Sequence, residues 1–310
     1  MKIGFGAPVS GAWATPENLA DFAIRAEKAG YASLWGFQRL LVPEGSGMEP
    51  VYHSVLDPMA ALAYAAAGTS TIRLGVAVVN HPYVAPAYLA KQAATVDILS
   101  HGRLDLGLGI GWMPEEFTAV GGTMAGRGRR TEEYVTVLRE LWSGGSLSEF
   151  AGTFYQIPRG IVEPKPVQAG GPPVILGGTA RPALERAGRI ADGWVTSSRT
   201  DLSRIAEGIG IVRESAKQAG RDPDAIRIIC RGVVRLGAPA PAADGGGRRM
   251  LSGSAAQIRA DTAWLGGQGV TEVFYDLNWD PQVGSPDADR SAATARAGEI
   301  LDALAPASGD

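Results

Sequence analysis

Two apolar runs that end in glycine hold the residue types best suited to chemistry in this chain. Leu104 to Trp112 reads LDLGLGIGW, and Val174 to Gly178 reads VILGG and leads into Thr179. Each has the composition of a strand buried on both faces that hands over to backbone able to approach a ligand closely. Thr179 is a suitable N-cap for the helix-like run from Arg181 to Gly188, which carries Pro182 in its first turn. A helix start with bare N–H groups attracts phosphate, although glycines before a helix also serve as plain turn chemistry. Arg127, Arg129 and Arg130 could clamp an anion or form a surface ion-pair face. Other chemistries find little support. The three histidines, His53, His81 and His101, lack paired ligand spacing, so no metal site is expected. The single cysteine, Cys230, lies in the apolar run AIRIICRGVV and reads as a buried strand residue, and no G-x-S-x-G elbow is present.

The elements that must position these residues alternate from end to end. Strand-like runs are Ile3–Ala7, Ser33–Phe37, Ile72–Val79, Leu104–Ile110, Val174–Gly177, Gly193–Ser197, Ile226–Leu236 and Thr271–Leu277. Helix-like runs between them begin near Pro16, Asp57, Pro86, Gly128, Thr179, Asp201, Ser254 and Ser285. Eight such units in a single domain spanning residues 1–310 predict a (β/α)8 TIM barrel, a fold of about 250 residues or more. The rival, an open dinucleotide-binding sheet, would place G-x-G-x-x-G after the first strand, where none occurs. Extra length collects at Arg39–Leu56, Gly111–Arg127, Ser143–Pro173 and Gly237–Gly253. The first, second and fourth follow strands two, four and seven, so they are expected over the C-terminal mouth, where barrel active sites form. The third follows a helix, and its SLSEFAGTFYQI predicts a short hairpin.

Composition bounds the partners. With 45% hydrophobic and 20% charged residues the chain can bury a large core, and a net charge of -3 offers no footprint for nucleic acid or an anionic membrane. No apolar stretch approaches the roughly 18 residues of a membrane span. The N-terminus begins directly with a strand-like segment and lacks a secretory pattern, so the cytoplasm is the expected compartment.

Segments spread over nearly the whole chain resemble the bacterial luciferase-like flavin or deazaflavin (F420) oxidoreductases. The carriers are FAIRAEKAGYASLWGF, IRLGVAVVNHPYVAPAYLAKQAATVDILSHGRLDLGLGIGWMPEEF, RGRRTEEYVTVLRELW and EPKPVQAGGPPVILGGTARPALERAGRIADGWV. Within that family GWMPEEF, RGRR and PVILGG look most like the F420-dependent branch. The resemblance implies a cofactor lying edge-on in the mouth, its ring over strand three and its phosphate near the loop after strand five. It nominates Ala77 and Val78 as a strand-three bulge behind the ring, often a non-prolyl cis peptide in relatives. Ile110, Gly111 and Trp112 match the end of strand four, and Gly177, Gly178 and Thr179 the phosphate segment. Asn80 and His81 lie just past the bulge, as a substrate contact or a solvated loop. Arg127, Arg129, Arg130 and Arg181 are candidates for the acidic F420 tail. The expected reaction is hydride transfer between F420 and a small organic substrate in a homodimer. An FMN-dependent monooxygenase and a non-catalytic cofactor-binding homologue are the alternatives.

The chain also departs from the family pattern. Where sugar-phosphate dehydrogenases of the family carry an acid–base Asp-His after strand two and a Glu after strand four, this chain has Gln38, Arg39 and Trp112. Luciferases use a His where Arg39 stands. Arg39 cannot serve as a base at neutral pH, but it can stabilise an enolate or carboxylate. Glu115 and Glu116 are possible proton donors, with solvated loop carboxylates as the ordinary alternative.

Overall fold

A computed structural model describes residues 1–143, 145–238 and 248–306. Eight parallel strands close into a barrel: β1 Lys2–Gly6, β2 Ser33–Gly36, β3 Arg73–Asn80, β4 Leu104–Gly109, β5 Val174–Gly177, β6 Gly193–Val195, β7 Arg227–Val233 and β8 Glu272–Asp276. They neighbour one another in chain order, and β1 pairs with β8 to complete the ring. Helices pack outside: α1 Pro16–Lys28, α2 Pro58–Ala66, α3 Pro86–Leu99, α4 Pro114–Ala119, α5 Arg127–Trp142, α6 Arg181–Ile190, α7 Ile205–Gln218, α8 Ala255–Gly267 and α9 Arg290–Leu304. The barrel expected from the alternating runs is therefore present. The segment after α5 forms the expected hairpin, Ser148–Ala151 against Gln156–Gly160. Part of the Gly237–Gly253 insertion, residues 239–247, lies outside the described residues.

Three boundaries differ from the sequence reading. Helix α6 begins after Ala180, which offers no side-chain cap, so Thr179 is one residue too early to serve as one. Helix α9 begins after Asp289, whose carboxylate accepts from Ala292 N, whereas Ser285 closes a tight turn onto Ala288. A complete N-cap outcompetes the earlier serine. Helix α4, inside the Gly111–Arg127 insertion, was not expected, because six residues give too short a period to read.

Inside the barrel, Trp35, Ala77, Ile175, Val195, Ile229 and Phe274 form an apolar layer, with Trp35 stacked on Phe274 at 5.2 Å. Gly75 makes room for this layer, since a Cβ there would come within 2.4 Å of the Trp35 ring. Truncating such a packed residue to alanine costs about 2 to 5 kcal/mol. Below it, at the N-terminal end, a polar plug crosses the barrel. Asp105 accepts from Arg73 (2.9 and 2.7 Å) and from Arg227 (2.7 and 3.0 Å). Arg227 also meets Glu272 at 3.0 Å, and Glu272 accepts from Ser33 Oγ and Trp35 Nε1. Burial alone would raise the Asp105 carboxyl, but the two guanidiniums hold it below its ordinary value.

Candidate active site at the barrel mouth

The floor of the mouth is made where β3 breaks register. Its pairing with β4 shifts between Val76 and Val79, and the Ala77–Val78 peptide is cis, as the family pattern led us to expect. Glycines from both glycine-ended runs fit around this bulge. A Cβ at Gly107 would lie 1.9 Å from the Val76 carbonyl oxygen, one at Gly109 2.5 Å from Val78 Cγ2, and one at Gly177 3.1 Å from Val78 Cγ1. The missing side chains are thus explained at least as much by the protein's own bulge as by any ligand. Gly178 has φ +145° and would place a Cβ 2.6 Å from Ala183 Cβ, so its backbone conformation and the α6 contact both require glycine.

Beside the floor, Asn80 ties three strand ends together. Its N–H donates to Gln38 Oε1 (2.8 Å), and its Oδ1 accepts from Gly111 N (3.1 Å). Gly111 has φ +67° and lies under Tyr83 and Phe117, while Ile110 is half-buried. Trp112, next along, is 53% exposed and is not a core aromatic.

Arg39 and Glu116 form a pair that the sequence reading split apart. Glu116 is fully buried rather than solvated; it meets Arg39 Nη1 at 3.0 Å and accepts from Leu40 N (2.8 Å) and Tyr83 Oη (3.0 Å). Burial and the Glu116 charge raise the Tyr83 hydroxyl well above its usual pKa. The guanidinium of Arg39 lies between the rings of Tyr52 (4.6 Å) and Trp112 (5.1 Å). Glu115, the other candidate donor, is exposed on α4.

A second buried arginine, missed in the sequence reading, completes the wall. Arg231 of β7 donates from Nε to Asp276 Oδ2 (2.6 Å) and from Nη1 to the Ala77 carbonyl (3.1 Å). Its guanidinium lies over Trp279 at 4.3 Å and Phe37 at 4.8 Å. Trp279 also contacts Tyr52, with ring centroids 5.6 Å apart, so rings and guanidiniums run across the mouth from Trp112 to Phe37. A signal existed: Arg227 and Arg231 recur at a spacing of four on one strand, as Glu272 and Asp276 do on its neighbour, and even spacing puts each pair on one face.

His81 is also corrected. It is fully buried rather than a solvated loop residue, with Nε2 2.9 Å from Thr131 Oγ1. Thr131 Oγ1 donates to the Arg127 carbonyl, so Nε2 must carry the proton, and Nδ1 is left without a partner. Burial, reinforced by the positive charges of Arg186 and Arg130, lowers the His81 pKa to about 3. Those arginines belong to a cationic cluster where α5 meets α6. Arg127 Nη1, Arg130 Nε and Arg186 Nε are buried and have no hydrogen-bond partner among the described residues, although Arg186 approaches Glu132 to 3.6 Å. Arg129 and Arg130 face the Phe154 ring. Arg181 stands apart: it is exposed and pairs with Glu185 on its own helix.

The chain belongs to the luciferase-like monooxygenase family, whose model matches residues 3–304. It is 35% identical over 171 residues to an uncharacterized protein of Mycobacterium tuberculosis, covering 55% of this chain and 60% of that relative's length. It is 33% identical over 194 residues to an FMNH2-dependent dimethylsulfone monooxygenase of Pseudomonas fluorescens, covering 62% of this chain and 50% of the relative. Among solved structures, a monooxygenase from Streptomyces bottropensis superposes with a TM-score of 0.79 at 22% identity over 98% of both chains. The F420-dependent tetrahydromethanopterin reductase of Methanopyrus kandleri gives 0.74 at 19% identity, over 98% of this chain and 100% of that one. These similar proteins include one described as FMNH2-dependent and one described as F420-dependent, and the fold is common to this chain and the F420-dependent one.

Proposed function

We propose that this chain transfers a hydride between coenzyme F420 and a small organic substrate in the barrel mouth. What supports the reading is the cationic cluster of Arg127, Arg130 and Arg186, in which Arg127 Nη1, Arg130 Nε and Arg186 Nε have no hydrogen-bond partner among the described residues, with Glu132 3.6 Å from Arg186 as the neighbouring carboxylate. An acidic tail extending past the phosphate would supply acceptors for these nitrogens, and FMN has no such tail. The phosphate itself is assigned to Gly177, Gly178 and Thr179 at the start of α6. When bound, F420 supplies two-electron hydride chemistry from its deazaflavin ring.

The remaining work falls to the chain. Ala77 and Val78 form the surface behind the ring, with the Ala77 carbonyl fixed by Arg231. Asn80 and Gly111 set the end of β4, and the rings from Trp112 to Trp279 line one side of the mouth. Arg39, held by Glu116, offers positive charge to an oxygen that gains electron density, and it takes up no proton. Hydride transfer that needs few side-chain acids or bases agrees with a mouth whose buried carboxylates, Glu116 and Asp276, are both bound to arginine.

Similarity to the Pseudomonas enzyme motivates the second reading, a monooxygenase using reduced FMN and oxygen. Anaerobic assays with reduced and oxidised F420 over a panel of ketones, enones and alcohols test the proposal. Turnover of F420 without oxygen is expected. Oxygen-dependent turnover with reduced FMN alone would replace it, and cofactor binding with no turnover of either kind would leave a binding protein.

A further inference from the structure

A cavity of about 580 Å³ opens on the β6–β8 side of the mouth, away from the α5–α6 arginines. Its charged lining residues are Glu49, Arg199, Arg235, Arg249 and Asp280. Glu49 pairs with Arg199 at 3.3 Å, and Asp280 lies 3.6 Å from Arg296. Arg235 and Arg249 have no carboxylate or carbonyl partner among the described residues. Arg235 and Arg249 are both exposed to solvent, and partial desolvation together with the neighbouring Arg235 charge pushes the Arg249 guanidinium below its ordinary pKa. Three arginines, Arg199, Arg235 and Arg249, against two carboxylates, Glu49 and Asp280, give the lining an excess of positive charge that favours an anion. The opposite wall is apolar, with Val51, Pro281 and the face of Trp279. Trp279 carries Arg231 on its ring, and Arg231 holds the Ala77 carbonyl, so the cavity shares a wall with the floor of the mouth.

We infer that this cavity binds the carboxylate of an organic-acid substrate at Arg235 and Arg249, its apolar part against Val51, Pro281 and Trp279. The volume suits a small molecule, and paired guanidiniums match the two oxygens of a carboxylate. The inference rests on the mouth being the reaction site, but not on which cofactor is used there.

Binding without cofactor separates the two questions. Purified protein is titrated by calorimetry with a panel of straight-chain and aromatic carboxylates, each beside its uncharged amide and beside inorganic phosphate. Trp279 serves as a local fluorescence reporter, with Trp279→Phe as its control. At least one carboxylate should bind more tightly than its amide and than phosphate. Arg235→Gln and Arg249→Gln should each weaken it about tenfold, as expected for a lost charge-assisted hydrogen bond. Both side chains make no protein hydrogen bond among the described residues, so the variants should keep the wild-type unfolding midpoint. The inference is overturned if no carboxylate exceeds its amide, if phosphate binds equally well, or if both variants retain full affinity. A loss of F420 binding in separate titrations would instead count against the cofactor reading.

Discussion

At the N-terminal end of the barrel, Arg73 and Arg227 converge on Asp105 and Glu272, and each charge is met by an opposite one. At the mouth, four residues further along the same strands, Arg231 and Asp276 repeat the pairing, but there the guanidinium also lies on aromatic rings and holds a strand carbonyl. Beyond it Arg127 and Arg130 of α5 and Arg186 of α6 each carry one buried nitrogen with no hydrogen-bond partner among the described residues. Residue type alone therefore does not distinguish the two ends of the barrel; the partners do, carboxylates and strand groups at the plug, rings and a strand carbonyl at the mouth. The plug is closed within the chain, whereas Arg127 Nη1, Arg130 Nε and Arg186 Nε where α5 meets α6, like Trp13 Nε1 and Arg213 Nε elsewhere, have no hydrogen-bond partner among the described residues.

Removing the closure should have the largest effect. Asp105→Ala leaves two arginines facing each other in the barrel and should cost about 3 to 5 kcal/mol in urea unfolding. A loss below about 1 kcal/mol would mean that the plug is not the closed network described.

Next comes acid sensitivity at the mouth. The folded-state pKa of His81 is about 3, against an unfolded value near 6.5, so the folded state disfavours its protonation. Its contribution is fully present above about pH 6.5 and is lost as pH falls toward 3. Between pH 6.5 and 5 this amounts to about 2 kcal/mol. His81→Gln should remove that share, seen as a flatter dependence of the unfolding midpoint on pH. An unchanged slope would show that His81 is not held neutral.

A smaller effect, but a sharper one, is expected from Arg186→Gln. It should weaken F420 binding about tenfold while moving the unfolding midpoint far less than Asp105→Ala does. If stability falls and binding does not, the cluster where α5 meets α6 is structural. Arg181→Gln should do least, within about 0.5 kcal/mol and with no change in cofactor affinity, because Arg181 is exposed and paired only with Glu185.

The same contrast explains what could be read from the sequence. All eight barrel strands were visible, because parallel strands covered on both faces appear as continuous apolar runs. The bulge at Ala77 and Val78 was available only through family resemblance, since no local rule predicts it. Glycines at 107, 109 and 177 stood out, but what fills the space beside them, Val78, comes from another strand and cannot be read locally. Glu116 and His81 were misjudged for a related reason: their burial and partners, Arg39, Tyr83 and Thr131, arrive from separate elements. Arg231 could have been found, because a charged residue at even spacing from Arg227 in an apolar strand needs an inward partner.

Cofactor choice turns on whether the donors of Arg127, Arg130 and Arg186 receive an acidic tail, as proposed above. Titrating the purified protein with F420 and with FMN, each in low and in moderate salt, tests it most directly. Micromolar or tighter F420 binding is expected that exceeds FMN binding, weakens with salt, and weakens again in Arg186→Gln. A clear preference for FMN, or F420 binding indifferent to both salt and Arg186, would contradict it.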